Sequence, residues 1–113
     1  MAGVNTAAHK EWTLTVLIEE KINVASPPTI KFSHGKLSVF GGINRLTGSY
    51  ALVRNTVTMG NLASTKMAGP PKLMELEDNF ARALRAVDAF QVSGNKLTLS
   101  TDGKVVAVFR TLR

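Results

Sequence analysis

The chain has 113 residues, enough for one domain with a hydrophobic core and too few for two ordinary domains. Its content of 44% hydrophobic and 19% charged residues is typical of a globular protein and excludes disorder over the whole chain. The absence of cysteine excludes disulfide scaffolds, thiol nucleophiles and cysteine-ligated metals, while a formal charge of +6 is compatible with an acidic partner without identifying one.

The N-terminal segment is predicted to be a flexible tail over residues 1–10, followed by a single domain over residues 11–113. The tail has no continuous apolar region, and no stretch of the chain approaches the roughly 18 to 20 apolar residues of a membrane helix. The sequence as given favours a cytoplasmic location. An envelope or secreted location, and membrane association through a lipid anchor, would apply if a signal peptide had been removed.

The first predicted strand spans residues 11–19, in which apolar and mainly polar residues alternate. Trp12, Leu14, Val16 and Ile18 are predicted to form its apolar face. Two hairpins follow, and their turns are centred on Ser33-His34-Gly35 and Arg54-Asn55.

The C-terminal part is predicted to be a three-stranded meander. Its strands contain residues 90–92, 97–99 and 104–111, and they are joined by turns at residues 93–95 and 101–103. Asp102-Gly103 is the strongest turn signal in the sequence.

One segment departs from the two-residue period and predicts an amphipathic helix beginning at Pro70-Pro71. Its apolar stripe comprises Leu73, Leu76, Phe80, Ala83, Leu84 and Val87. The predicted fold is therefore mostly β (α+β). It is a small antiparallel, barrel-like sheet of about five to seven strands with one inserted amphipathic helix and a C-terminal three-stranded meander.

Two segments in the middle of the chain carry a recognisable pattern. GGINRLTGSY at residues 41–50 and LASTKMAGPPKLMELEDNF at residues 62–80 resemble the META/HslJ-like domain family. That signature joins a Gly-Cys-Asn-Arg/Ser and Gly-x-Tyr segment to Ala-Ser-Thr-x-Met-Ala-Cys and an acidic helix. The matching positions are Gly42, Asn44, Arg45, Gly48, Tyr50, Ala63, Ser64, Thr65, Met67 and Ala68.

The resemblance implies a small barrel-like sheet with one helix and a monomeric, non-enzymatic domain that binds a protein partner. Family members are bacterial envelope lipoproteins, heat-inducible proteins and protozoan virulence-associated proteins. Some similar domains inhibit proteases or resemble secretion-system pilot proteins. The resemblance thus implies a role in stress response, secretion or virulence, with the matching residues mainly structural.

Two positions depart from the family pattern. Many bacterial members have cysteines where this chain has Ile43 and Gly69. The resemblance implies a disulfide there in oxidised members, and it implies that these two positions lie close in space here.

Candidate catalytic and metal-binding residues are few. His9 and His34 are isolated in a tail and a turn, and two such imidazoles do not indicate a metal site. Ser33 and Lys36 match a Ser-x-x-Lys spacing, but they flank a turn instead of starting a helix. No catalytic, cofactor or metal residue is therefore predicted.

The polar motif residues favour structural roles over chemistry. Ser64 and Thr65 precede the helix, where hydroxyls commonly bond the local backbone. Asn44 is interpreted as an amide that satisfies buried backbone groups, with ligand contact as the alternative. Gly41-Gly42 lacks the spacing of a phosphate-binding loop and indicates a bulge or a close backbone approach.

Nucleic-acid binding is not favoured despite the positive charge. The basic residues form no run, and the aromatic motifs of RNA-binding domains are absent. Phe32, Phe40, Phe90 and Phe109 are predicted to share the apolar phase of their strands and to lie in the core.

Two further functions stay open beside protein interaction. A curled sheet closed by a helix could bind a small ligand or lipid inside. An exposed loop such as residues 21–28 could inhibit a protease.

Overall fold

The computed structural model describes residues 10–111, which contain ten strands and one helix. The predicted tail up to residue 9, including His9, and residues 112–113 lie outside this range. The elements are β1 (Glu11–Leu17), β2 (Glu20–Lys21), β3 (Thr29–Ser33), β4 (Lys36–Phe40), β5 (Arg45–Val53), β6 (Thr56–Met59), β7 (Ala63–Ser64), α1 (Pro71–Ala86), β8 (Ala89–Ser93), β9 (Lys96–Thr101) and β10 (Lys104–Arg110).

Eight of the described strands form a closed antiparallel barrel. The order β10-β9-β8-β6-β5-β4-β3-β1 is closed by pairing of β1 with β10, while the two-residue strands β2 and β7 pair with β1 and β5. Closure gives β1 and β10 a partner on each side, whereas β6 and β8 meet at the pair Thr56 and Ala89. The predicted barrel-like sheet, inserted helix and C-terminal meander are confirmed.

The predicted hairpins are also present, and their turns follow the twist of the strands. His34-Gly35 joins β3 to β4, and Asp102-Gly103 joins β9 to β10. Both residues of each pair have positive φ, 50° and 80° in the first turn and 51° and 79° in the second. This backbone favours Gly at the second position, where no Cβ opposes it.

The first strand differs from its prediction because its register shifts between Leu14 and Val16. A bulge of this kind reverses the faces that the following side chains occupy. Leu17 is consequently buried, Val16 is only partly buried and Ile18 is 56% exposed, so the assignment of Val16 and Ile18 to the apolar face was wrong. Ile18 and Glu19, with φ of 47° and 68°, instead form the turn into β2.

The core lies inside the barrel and beneath α1. It comprises Trp12, Leu14, Leu17, Ile30, Phe32, Leu37, Val39, Leu46, Val57, Phe80, Ala81, Ala83, Leu84, Val87, Phe90, Leu97, Leu99, Ala107 and Phe109. Phe40 is not among them, which corrects its predicted core position. Leu37 and Val39 face inward on β4, so the neighbouring Phe40 points to the other face and stays partly exposed.

The helix begins where the sequence predicts. Pro70 precedes it, and the Pro70 carbonyl accepts hydrogen bonds from the Leu73 and Met74 amides at 3.0 Å. Its buried face carries Phe80 and Leu84, and the Phe80 ring centroid lies 5.9 Å from that of Phe109 on β10. None of the helical structure within residues 10–111 is both long and apolar enough to cross a membrane.

Candidate functional site

The two motif segments are brought together by a short piece of sheet. Leu46 on β5 pairs with Ser64 on β7, and just beyond this pair the Thr65 amide donates to the Arg45 carbonyl at 3.1 Å. The Arg45 amide in turn donates to the Thr65 hydroxyl at 3.2 Å. This ladder places the segment after β7 directly beside Asn44.

The Asn44 side chain is buried, at 7% exposure, and its amide uses all of its hydrogen-bonding capacity. Its oxygen accepts from the Thr65 hydroxyl at 2.8 Å and from the Met67 amide at 2.7 Å. Its nitrogen donates to the Met67 carbonyl at 3.1 Å and to Glu77 Oε1 at 2.7 Å. The Asn44 side chain thus bonds both backbone groups of Met67, 23 positions further along the chain.

Glu77 lies on the buried side of α1, at 8% exposure, and its carboxylate is satisfied by amide donors. Oε2 accepts from the Ile43 amide at 3.1 Å and from the Asn44 amide at 2.5 Å, while Oε1 takes the Asn44 side-chain bond. Hydrogen bonds to an ionised acceptor are stronger than neutral ones. We call residues 41–44, residues 65–67 and Glu77 the motif junction, because this carboxylate and Asn44 connect a turn, a loop and the helix.

Glycines permit the close approaches around the junction. A Cβ on Gly41 would lie 2.6 Å from Glu77 Cγ, and one on Gly48 would lie 2.6 Å from the Asn61 carbonyl oxygen. Both distances are shorter than side chains tolerate, so neither position accepts a larger residue without movement. Gly42 has a φ of 123°, which favours glycine. Of the bulge and the close approach expected at Gly41-Gly42, the structure has a close approach of the Gly41 backbone to the Glu77 side chain.

Ile43 and Gly69 are in contact, as the family resemblance implies. A Cβ built on Gly69 would lie 2.7 Å from Ile43 Cδ1, 3.1 Å from Cγ1 and 3.5 Å from Cγ2. The Cβ of Ile43 carries both γ carbons, so the two Cβ positions fall near the separation found in disulfides. Apolar packing of Ile43 over the backbone of Gly69 takes the place of a covalent link here.

The remaining motif residues divide into supporting and exposed positions. Tyr50 is half-buried and packs edge-on against Phe32, with ring centroids 5.0 Å apart and an interplanar angle of 82°. The Ser64 hydroxyl donates to the Thr65 carbonyl at 2.7 Å, which confirms the predicted local backbone bond. Arg45, Ala63 and Ala68 are exposed.

Two adjoining depressions open on the outer side of the junction. One has a volume of about 310 Å³ and is bordered by Met67 and Met74, which are 55% and 41% exposed. The other has a volume of about 250 Å³ and is bordered by Lys66, Arg82 and Arg85. Both are lined in part by Ser64, Lys66, Glu77 and Asp78. We call the exposed side chains around them the motif-loop surface: Lys66, Met67, Met74, Asp78, Arg82 and Arg85.

Sequence reasoning missed the central acid and most of this surface. Glu77 was given no role from the sequence, although it falls four positions after Leu73 and three before Phe80, in the apolar phase of the predicted helix. An acid in that phase was an available signal. Met74, Arg82 and Arg85 carried no such signal, because their approach to Lys66 depends on how α1 packs against the loop after β7.

The buried polar side-chain groups of the described residues are satisfied. Across residues 10–111, every buried side-chain nitrogen or oxygen has a hydrogen-bond partner. In the same part of the chain, no group of three or more His, Asp or Glu side chains is arranged to hold a metal ion. The Asn44 and Glu77 side chains thus hold the backbone of the junction in place.

A separate and larger depression, of about 920 Å³, lies between the β1–β2 hairpin and the first half of α1. Ile18, Ile22 and Val24 contribute apolar side chains, and Lys72 and Glu75 contribute charges from the helix. It includes the first part of the loop at residues 21–28.

The family model for the META domain matches residues 5–112. No curated protein matches the chain significantly.

Three solved structures share the fold. An NMR structure has a TM-score of 0.76 at 23% identity and covers 98% of this chain and 96% of its own. An NMR structure of a protein from Burkholderia xenovorans has a TM-score of 0.75 at 24% identity, covering 96% and 86%. The crystal structure of a DUF4847 family protein from Bacteroides vulgatus has a TM-score of 0.72 at 14% identity, covering 96% of both chains.

Proposed function

The chain belongs to the META domain family, and on that premise we propose that it is a non-enzymatic protein-interaction domain acting in stress response, secretion or virulence. Its partner is a protein bound through the motif-loop surface. The family resemblance predicted from two short motifs is confirmed by the match over residues 5–112. What we propose beyond the family is the non-enzymatic activity and the protein partner.

One observation carries this proposal: the buried Asn44 amide fixes the loop from the inside, while the Met67 side chain of that loop is presented outward. The Asn44 amide holds both backbone groups of Met67, and the Met67 side chain is then 55% exposed. Methionine is flexible and polarizable and is common at surfaces that bind other proteins. A loop fixed in this way loses little conformational entropy on binding, which favours recognition.

The barrel interior supports surface binding over a ligand inside. Trp12, Leu14 and Leu84, which line the centre, are each at most 1% exposed. The described strands all contribute further apolar side chains to the same cluster, except the short β2 and β7. An interior filled by side chains is a core, as in other small barrels.

The test is crosslinking and affinity capture with the full chain from extracts of the source cells. Met67→Ser/Met74→Ser removes the exposed apolar pair, and Val53→Ser, at a residue 71% exposed on β5, is the matched control. We expect specific proteins to be recovered with the wild type and with Val53→Ser and to be lost with the double variant. Recovery of no specific protein, together with turnover of a small molecule by the purified chain, would contradict the proposal.

Protease inhibition is a second candidate, because Lys21, Ala25 and Ser26 are exposed on the loop at residues 21–28. A panel of proteases assayed with the purified chain and with Lys21→Ala tests it. Inhibition that Lys21→Ala weakens would favour this function over protein docking at the motif-loop surface.

A further inference from the structure

We propose that the motif-loop surface binds an acidic peptide segment anchored by one apolar side chain. This inference rests on the proposed function and specifies the chemistry of the partner. It depends on the juxtaposition of three cations with two exposed methionines, of which Met67 lies on the loop that the junction holds in place and Met74 lies on α1.

The cations converge from two elements. Lys66 extends from the loop after β7, and Arg82 and Arg85 extend from successive turns of α1, around one depression of about 250 Å³. Two acids, Glu77 and Asp78, line this depression. Glu77 is buried and its oxygens accept bonds from Ile43 and Asn44, so Asp78 is the acid that is exposed. The exposed charge of the depression is therefore positive, which complements carboxylates.

The guanidinium groups suit a peptide carboxylate. Arg82 Nη1 donates to Asn79 Oδ1 at 3.1 Å, a contact that uses one of its five N–H donors and orients the group along the helix. Arginine binds carboxylates through two parallel hydrogen bonds, so a held guanidinium provides direction as well as charge.

The apolar part lies immediately beside the cations. Met67 and Met74 border the depression of about 310 Å³, which shares Lys66 and Asp78 with the cationic one. This volume accepts one aliphatic or aromatic side chain. A ligand that spans both depressions must therefore place an apolar group within a few ångströms of its acids.

A peptide fits this arrangement better than a nucleic acid. Single-stranded nucleic acids bind through aromatic side chains on which bases stack, and the linings of both depressions contain no aromatic residue among the described positions. Exposed Asp78 would also repel a continuous phosphate backbone. A peptide can place its acids away from Asp78 and its apolar side chain against the methionines.

The test is a selection from a random dodecapeptide library displayed on phage, with the full chain as target. Selected peptides are synthesised in their acidic form and with Asp→Asn and Glu→Gln replacements, and their binding is measured by fluorescence anisotropy at low and physiological ionic strength. Lys66→Glu/Arg85→Glu reverses the surface charge. Lys96→Glu and Lys31→Glu, at exposed positions on β9 and β3, together make the same charge change elsewhere. Circular dichroism melts check that every variant is folded.

We expect the selected peptides to be rich in Asp or Glu next to an apolar residue. Their amide forms should bind roughly tenfold more weakly, and Lys66→Glu/Arg85→Glu should weaken the acidic form by a similar factor, while Lys96→Glu/Lys31→Glu stays within about twofold. Met67→Ser/Met74→Ser should weaken binding of the acidic and amide forms alike, because it removes the shared apolar contact.

The inference falls if the selected peptides are not acidic, if no peptide is selected, or if both charge variants behave alike. It also falls if a single-stranded oligonucleotide or a phosphatidylserine vesicle binds this surface more tightly than the selected peptides. Affinity capture separates the two proposals. If capture recovers a protein that depends on Met67 and Met74 but the selected peptides are not acidic, the proposed function stands and this inference is wrong. If both experiments fail, both proposals are wrong.

Discussion

The barrel interior and the motif junction are both buried, but they are held together by opposite means. In the interior, large apolar side chains such as Trp12, Phe80 and Phe109 fill the space at 1% exposure or less. In the junction, one carboxylate and one amide bond the backbone of two segments and connect them to the helix. Apolar packing tolerates similar replacements, whereas a buried polar network requires each partner. The interior thus provides global stability, and the junction fixes the position of a loop.

The largest expected effect is in the interior. Phe109→Ala, at a fully buried position on β10, should lower the free energy of unfolding by about 4 kcal/mol, because it leaves a cavity beside Phe80. Urea denaturation measures this, with the m value unchanged. Val105→Ala, at a half-exposed position on the same strand, should cost less than about 1 kcal/mol. Equal costs for the two would remove the distinction between core and surface on β10.

The next largest effect is expected from a covalent link at the motif junction. Ile43→Cys/Gly69→Cys should form a disulfide in air and raise the free energy of unfolding by about 3 kcal/mol, because it closes a loop of about 25 residues. Mass spectrometry without reductant detects the bond, and denaturation with and without reductant measures its effect. Failure of the cysteines to pair would mean that the two backbones are farther apart in solution.

A smaller loss of stability is expected at Asn44, and this variant distinguishes the motif junction from the barrel interior most directly. Asn44→Ala should cost about 2 kcal/mol, because the Met67 amide and the Glu77 carboxylate each lose a buried partner. Hydrogen exchange should rise at residues 64–69 and remain slow in β9 and β10. Asn23→Ala, at an exposed position, is the control and should leave both unchanged. Uniformly faster exchange with Asn44→Ala would show instead that the junction supports the whole barrel.

The smallest effect concerns the β1–β2 turn, where an exposed β-branched residue has positive φ. Ile18→Asn/Glu19→Gly should stabilise the protein by about 1 kcal/mol, because Asn-Gly suits a backbone that Ile18 adopts at a steric cost. Thermal denaturation detects the gain. Asp102→Asn, in a turn of the same geometry that already has glycine, should change little. A loss of stability with Ile18→Asn/Glu19→Gly would indicate that Ile18 makes contacts that outweigh the strain.

The sequence predicted the elements that depend on the local hydrophobic period. Its predictions failed where pairing with a distant strand sets which face a side chain occupies. The hairpin turns and the start of α1 follow from local residues, and they are found where predicted. Ile18 was misplaced because a bulge near Thr15 is set by pairing with β10, which alternation along β1 cannot reveal. Phe40 was misplaced although the adjacent inward Val39 already excluded it from the same face.

The candidate site was predictable only in part. The family motifs located Asn44, Thr65 and Met67, and they implied the contact between Ile43 and Gly69. The burial of Glu77 was indicated by its helical phase, but its partner Asn44 lies 33 positions earlier in the chain. No local pattern identifies which donors a buried acid will bond. The pairing of Glu77 with Asn44 could therefore not be predicted from the sequence and is seen only in the structure.

The pairing of β1 with β10 also sets the timing of folding. The Thr15 hydroxyl bonds the Val108 carbonyl across 93 positions of sequence, so the ring cannot close until nearly all of the domain has left the ribosome. Until then β1 and β9 each present an unpaired edge that another chain could join. Long-range closure of this kind is slow, and a ribosome that pauses before β10 would leave a nascent chain vulnerable to aggregation.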